Sequence, residues 1–142
     1  MLSHGILADT QKLSSAIFTT PANAGIALNY RSAGTTTYWV AGIDAADNTA
    51  KLWRYNGATL ITEHSVSLGV LLNYSTWYRL VVTVTDIGGG TIVIAMSVAL
   101  ASTPGSPLVA FTVGTTQYGT PDGKYGIATD RAAATFDYWR IV

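Results

Sequence analysis

The sequence predicts an all-β fold, an antiparallel β-sandwich in one domain spanning residues 1–142, and three observations carry that prediction. Thr, Val, Gly and aromatic residues dominate, and no long stretch has helical periodicity. Short apolar-alternating runs are separated by turn clusters, at the spacing of strands in a sandwich. Hydrophobic residues make up 49% of the chain, so a chain of 142 residues can bury a stable core without staples.

Strands are expected in this order. Lys12–Thr19 ends at Pro21-Ala22-Asn23. Ala24–Arg31 alternates, with Ile26, Leu28 and Tyr30 on one face and Ala27, Asn29 and Arg31 on the other, and ends at Ser32-Ala33-Gly34. Thr36–Ile43 is apolar on both faces, with Tyr38, Val40 and Gly42 against Trp39, Ala41 and Ile43, which predicts a strand covered on both sides. After the Asp44–Asn48 turn, Lys51–Tyr55 turns Leu52 inward and leaves Lys51, Trp53 and Tyr55 outside. Asn56-Gly57 favours the primed turn of a two-residue hairpin, leading into Thr59–Ser65.

Trp77–Thr85 sets Leu80, Val82 and Val84 against Arg79, Val81 and Thr83. Gly88-Gly89-Gly90 reads as a hairpin loop into Thr91–Val98, whose Ile92, Ile94, Met96 and Val98 share a face. Ser102–Pro107 is a surface loop before Leu108–Val113, and Pro121-Asp122-Gly123 precedes Tyr125–Thr129 and Ala134–Val142. Internal repeats, charge runs and domain boundaries are absent from the sequence.

Several segments together resemble the concanavalin A-like lectin/glucanase superfamily, in its laminin-G-like and carbohydrate-binding-module branches. Ala24-Gly25-Ile26-Ala27-Leu28-Asn29-Tyr30-Arg31 is similar to its "G-I-x-L-R-Y" strand, and Tyr38-Trp39-Val40-Ala41-Gly42-Ile43 follows at the expected distance. Lys51-Leu52-Trp53-Arg54-Tyr55-Asn56-Gly57 resembles the next strand and hairpin. Thr76-Trp77-Tyr78-Arg79-Leu80-Val81-Val82-Thr83-Val84 resembles the "W-Y-x-L-x-V-x-V" strand, the strongest single match. Gly126-Ile127-Ala128-Thr129 and Ala134-Thr135-Phe136-Asp137-Tyr138-Trp139-Arg140-Ile141 resemble the closing pair. The resemblance runs from about Gln11 to Val142. It implies a jelly-roll sandwich, with Trp77 and Trp139 packed inside and a strand or two fewer at the N-terminus than full-length relatives carry. On that reading the sheet edge beside the first strand is filled by Met1–Asp9, filled by another subunit, or left open for edge pairing.

Several function classes are excluded or disfavoured by composition. Eight basic and eight acidic side chains cancel, so the clustered Lys and Arg of a nucleic-acid footprint are missing. Cysteine is absent, which removes disulfides and thiolate metal sites. Met1-Leu2-Ser3-His4 shows no cationic run ahead of an apolar core. Apolar runs such as Ile92–Met96 fall far short of the ~20 residues of a membrane helix, so no membrane insertion is expected. Only 11% of residues are charged, against about 25% in ordinary domains. A neutral chain this poor in charge is expected to live in a homo-oligomer or larger assembly, at an extracellular or virion surface.

Catalysis is not expected. Glycoside hydrolysis needs two carboxylates about 5–9 Å apart. Glu63 stands with Asp9, Asp44, Asp47, Asp86, Asp122, Asp130 and Asp137, and the Glu-x-Asp-x-x-Glu strand of related laminarinases is missing. Glu63 has no acidic neighbour in sequence and is expected to face solvent. His4 and His64 lie far apart, Gly-x-Ser-x-Gly does not occur, and the glycine run lacks the Lys and helix of a phosphate loop. Calcium, the one cofactor considered, would draw on Asp44 and Asp47 in their turn, where Asp and Asn also serve local backbone hydrogen bonds.

Sugar binding is the leading expectation. Pyranose C–H faces lie well on aromatic rings, with polar neighbours fixing the hydroxyls. Trp39, Trp53 and Tyr55 are expected to form such a platform on the outer face of neighbouring strands, with Asn29, Arg31 and Lys51 supplying hydrogen bonds. The same residue types build protein interfaces, so the alternative is a structural or decoration subunit whose partner is another protein subunit rather than a glycan.

Overall fold

In the computed structural model the described residues are 11–19, 23–30, 37–73, 76–118, 124–130 and 135–141, with side chains described for 37–73 and 76–118 and for Gly25, Leu28 and Gly126. The strands are β1 (Gln11–Thr19), β2 (Asn23–Tyr30), β3 (Thr37–Asp44), β4 (Thr49–Asn56), β5 (Thr59–Ser67), β6 (Tyr78–Asp86), β7 (Ile92–Leu100), β8 (Pro107–Thr115), β9 (Lys124–Asp130) and β10 (Thr135–Ile141). They form two five-stranded sheets, in the orders β10-β1-β6-β7-β8 and β5-β4-β3-β2-β9. Every pairing is antiparallel. The fold is therefore an all-β antiparallel β-sandwich. The first strand does not lie at a sheet edge: β1 is flanked by β10 and β6. Residues 1–10 fall outside the described residues.

Alternation sorts the faces wherever one side meets the other sheet. Tyr78, Leu80, Val82 and Val84 of β6 and Ile92, Ile94, Met96 and Val98 of β7 are buried. They meet Leu28, Trp39, Ala41, Ile43, Ala50 and Leu52 from the facing sheet in one cluster, joined by Leu68 and Tyr118 from loops. At one side of the sandwich the edge strands β5 and β8 approach each other, with the His64 and Phe111 rings 4.6 Å apart. Each fully buried Leu, Ile or Met in this core contributes about 1.5–3 kcal/mol by leaving water.

Turn chemistry sets the connections. Asn48 adopts φ 55°, the left-handed region that Asn tolerates, and closes the β3–β4 turn. Its carbonyl accepts from Leu68 N–H at 3.0 Å and its Oδ1 from Leu72 N–H at 2.7 Å, tying the 68–72 segment down. The β4–β5 hairpin differs from expectation by one position. Asn56 pairs with Thr59, so the two loop residues are Gly57 and Ala58, and only Gly57 (φ 61°) has positive φ. That is the Gly-first pattern of a type II′ turn, which keeps Asn56 in the strand.

Candidate functional site

The β3–β4 ladder places the candidate residues. Tyr38 pairs with Tyr55, Trp39 with Arg54, Val40 with Trp53, Ala41 with Leu52 and Gly42 with Lys51. Directly paired residues share a face. Leu52 faces the core, and Ala41, Trp39 and Arg54 therefore face it too. Tyr38, Tyr55, Val40, Trp53 and Lys51 line the outer face. Trp39 is thus not part of an outer platform with Trp53 and Tyr55. Its side chain is 0% exposed and packs on Tyr118, ring centroids 6.1 Å apart. The expectation failed on parity, because a strand apolar on both faces does not reveal which side is inward. That β3 is covered on both faces holds: Val40, Gly42 and Asp44 on its outer side are buried as well.

Of the expected platform, Trp53 and Tyr55 do share the outer face, although Trp53 is only 7% exposed. The ring beside Tyr55 is Tyr38, which the sequence reading had not chosen. The two tyrosines stack with centroids 4.5 Å apart and planes 6° from parallel. Asn29 lies in β2, and its side chain is outside the described residues, as is all of Arg31. Trp77 does not pack inside the sandwich. Tyr78 faces the core, so its neighbour Trp77 turns outward and is 37% exposed. The side chain of Trp139 lies outside the described residues.

Asp44 and Asp47 come together, and Lys51 stands between them. Its Nζ donates to Asp44 Oδ2 at 2.7 Å and to Asp47 Oδ2 at 2.6 Å. The Asp44 and Lys51 side chains are each 12% exposed. Burial pushes the Asp44 carboxyl up. Hydrogen bonds from Lys51 and from Ala46 N–H more than offset that, and hold it below the usual carboxylate range. Burial likewise pulls Lys51 down, and its bonds to Asp44 and Asp47 carry it above the ordinary lysine value. A calcium ion drawing on Asp44 and Asp47 would have to displace this ammonium. Among the described residues no cluster of three or more His, Asp or Glu is placed to hold a metal.

Glu63 does not face solvent freely. Arg54 Nε donates to its Oε1 at 2.6 Å, with side chains 13% and 26% exposed. A β-bulge makes this possible. Leu52 pairs with His64 and Trp53 with Thr62, which leaves Glu63 as the extra residue of β5, turned toward Arg54. The Arg54 guanidinium lies 5.9 Å from the Trp39 ring centroid, in cation–π range, and Trp39 Nε1 is buried with no hydrogen-bond partner. Sequence reasoning passed over Arg54 as a site residue. The available signal was its period-2 spacing from the inward Leu52, which puts a charge on a core-facing position.

The other sheet carries a shallow groove of about 270 Å³ on its outer face, lined by Val81, Thr83, Ala95, Ser97, Ala110 and Thr112 among others. It offers hydroxyls and methyl groups and neither charge nor an outward aromatic ring.

Comparison with known proteins bears on the fold. The sandwich is similar to the carbohydrate binding module CBM66 from Bacillus subtilis, with a TM-score of 0.60 at 13% identity, over 99% of this chain and 76% of that one. That likeness shows a shared β-sandwich architecture and, at this identity, the fold alone. No protein-family model and no curated protein matches the chain.

Proposed function

We propose that the chain is a non-catalytic carbohydrate-binding module of the concanavalin A-like, jelly-roll kind, displayed at an extracellular or virion surface as part of a larger assembly. The observation that carries this reading is the end of the β3–β4 ladder near Thr37 and Asn56. There the partly exposed Tyr38–Tyr55 stack lies on one face and the Arg54–Glu63 pair emerges from the other. The stack offers a flat aromatic surface for the C–H face of a sugar, and the ion pair, on the opposite face, offers a donor and an acceptor for hydroxyls. The likeness to a carbohydrate binding module supports the same reading. Against catalysis stands Glu63, which is neutralised by Arg54, while Asp44 and Asp47 are committed to Lys51.

A glycan array followed by calorimetry on the best hit tests this. Binding is expected for the wild type and weakened about tenfold or more by Tyr55→Ala, with the urea midpoint little changed. A chain that binds no glycan and is a stable multimer by light scattering would overturn it. That outcome belongs to the second reading, a structural or decoration subunit, which is favoured by the apolar surface at Val70 (42% exposed) and Leu71 (83% exposed).

A further inference from the structure

We propose that Arg54 and Glu63 form a polar sugar anchor on the core-facing side of the β3–β4 ladder and that the sugar they take is neutral, held through a pair of adjacent hydroxyls. The inference rests on the carbohydrate-binding reading and deepens it.

Arg54 occupies a core-facing position, where a charge is costly unless something requires it. Only Nε has a protein partner: among the described residues no acceptor meets either terminal nitrogen. Among the described residues the fully buried side-chain atoms without a partner are Trp39 Nε1 and Thr49 Oγ1, and those nitrogens are not among them. The guanidinium is thus held from below by the Trp39 ring and from the side by Glu63, and its fork of N–H donors reaches the surface. A surface ion pair alone would not need a broken ladder, a half-buried glutamate and an arginine fixed over a ring. Such positioning is how a binding group is pre-organised.

Net charge selects among ligands. A lone arginine would favour a uronate, sulfate or phosphate. Here Glu63 cancels the charge and would repel an anion, while its Oε2, which has no protein donor among the described residues, remains an acceptor. Two vicinal hydroxyls fit that pair: one oxygen accepts from an Arg54 terminal N–H, and the neighbouring O–H donates to Glu63 Oε2. Tyr38 and Tyr55 lie on the opposite face of the ladder, so their stack forms no part of this anchor.

The test is a titration of the ¹⁵N-labelled full chain with fructose, mannose, galactose and galacturonate, following Arg54 Nε–H, the Trp39 indole N–H and the backbone amides. A neutral sugar is expected to shift the Arg54 Nε–H and the amides of Arg54 and Glu63, with galacturonate bound more weakly. Arg54→Lys keeps the charge and loses the fork, and it is expected to weaken that sugar roughly tenfold or more. Arg54→Met/Glu63→Met removes the pair without leaving an unpaired charge, and it is expected to abolish the shifts while amide dispersion stays native. Neutral-sugar shifts that leave Arg54 and Glu63 untouched, or preferential binding of galacturonate, would overturn this anchor and leave carbohydrate binding standing. No shift anywhere with any of the four, alongside an empty glycan array, would overturn both.

Discussion

Replacing Lys51 with Met asks whether the Asp44–Lys51–Asp47 cluster stabilises the β3–β4 turn. The substitution keeps most of the aliphatic stem and removes an ammonium 2.7 Å from Asp44 and 2.6 Å from Asp47. Breaking a fully buried pair costs about 3–5 kcal/mol, because the remaining charge is stranded. Here the cost is lower: Asp44 keeps its hydrogen bond from Ala46 N–H at 2.9 Å, and Asp47 is exposed enough to be solvated. We expect a loss of about 2 kcal/mol in urea unfolding followed by tryptophan fluorescence. Most of it should return in Asp44→Asn/Lys51→Met, which removes the stranded charge. The pH dependence has a definite sign. Asp44 in the wild type lies below its unfolded value, so its stabilisation is complete above about pH 4 and is lost as pH falls through the lower folded value. Without Lys51, burial still raises it and only the bonds with Ala46 and Asp47 still lower it, so the acid-induced loss should shrink or reverse. Lys51, raised in the fold, contributes fully below about pH 10 and loses its contribution as pH climbs through the folded value. A Lys51→Met chain within about 0.5 kcal/mol of wild type at neutral pH, with an unchanged acid limb, would show the cluster to be an ordinary solvated ion pair.

Further outcomes follow from packing and backbone geometry. Leu80→Ala, fully buried between the sheets, should cost about 2–5 kcal/mol in the same urea assay. Gly25→Ala should cost about 1–3 kcal/mol or prevent folding, because a methyl there runs into the Ala41 carbonyl oxygen and lies 2.6 Å from Gly42 Cα. Gly57→Val should cost about 1 kcal/mol through its positive φ alone, since nothing stands near its missing side chain; thermal unfolding reads this. Adding calcium is expected to leave the melting temperature unchanged, and a rise that Asp44→Asn abolishes would show that the cation displaces Lys51.

Much of the fold was legible because a sandwich exposes one side of most strands. In β6 and β7 alternation separates Leu80, Val82, Ile94 and Met96 from Arg79, Thr83 and Ser97, and those faces are the observed ones. β3 resists the same reading, since a strand buried on both sides has no polar face to mark its parity. Its orientation comes from its neighbour: Leu52 is inward without ambiguity, and the pairing of Ala41 with Leu52 carries Trp39 inward and Tyr38 outward. The structure sets that register by pairing Asp44 with Thr49 across a four-residue turn. Trp77 was a different failure, in which a family likeness overrode the alternation that already placed its neighbour on the core side. Glu63 could not be placed from sequence, because a bulge breaks the period on which face assignment rests.

The two charged groups of β4 explain how a chain with so few charges uses them. Lys51 and Arg54 lie on opposite faces of one strand, and each is matched by carboxylates reached through a turn or a bulge. Lys51 spends two of its three N–H donors on Asp44, at the end of β3, and on Asp47 in the adjoining turn, both within 2.7 Å, so its charge is matched by carboxylates on two sides. Arg54 is saturated on one side only, with Nε committed and its terminal nitrogens uncommitted among the described residues. A stability role alone would favour the first arrangement in both places, or a plain hydrophobic pair at the inward position. Keeping a half-satisfied guanidinium over Trp39 carries a desolvation cost that a bound ligand would offset. That difference between two ion pairs three residues apart is why the β3–β4 ladder, rather than the uncharged groove of the other sheet, is where the proposed sugar binding should be tested.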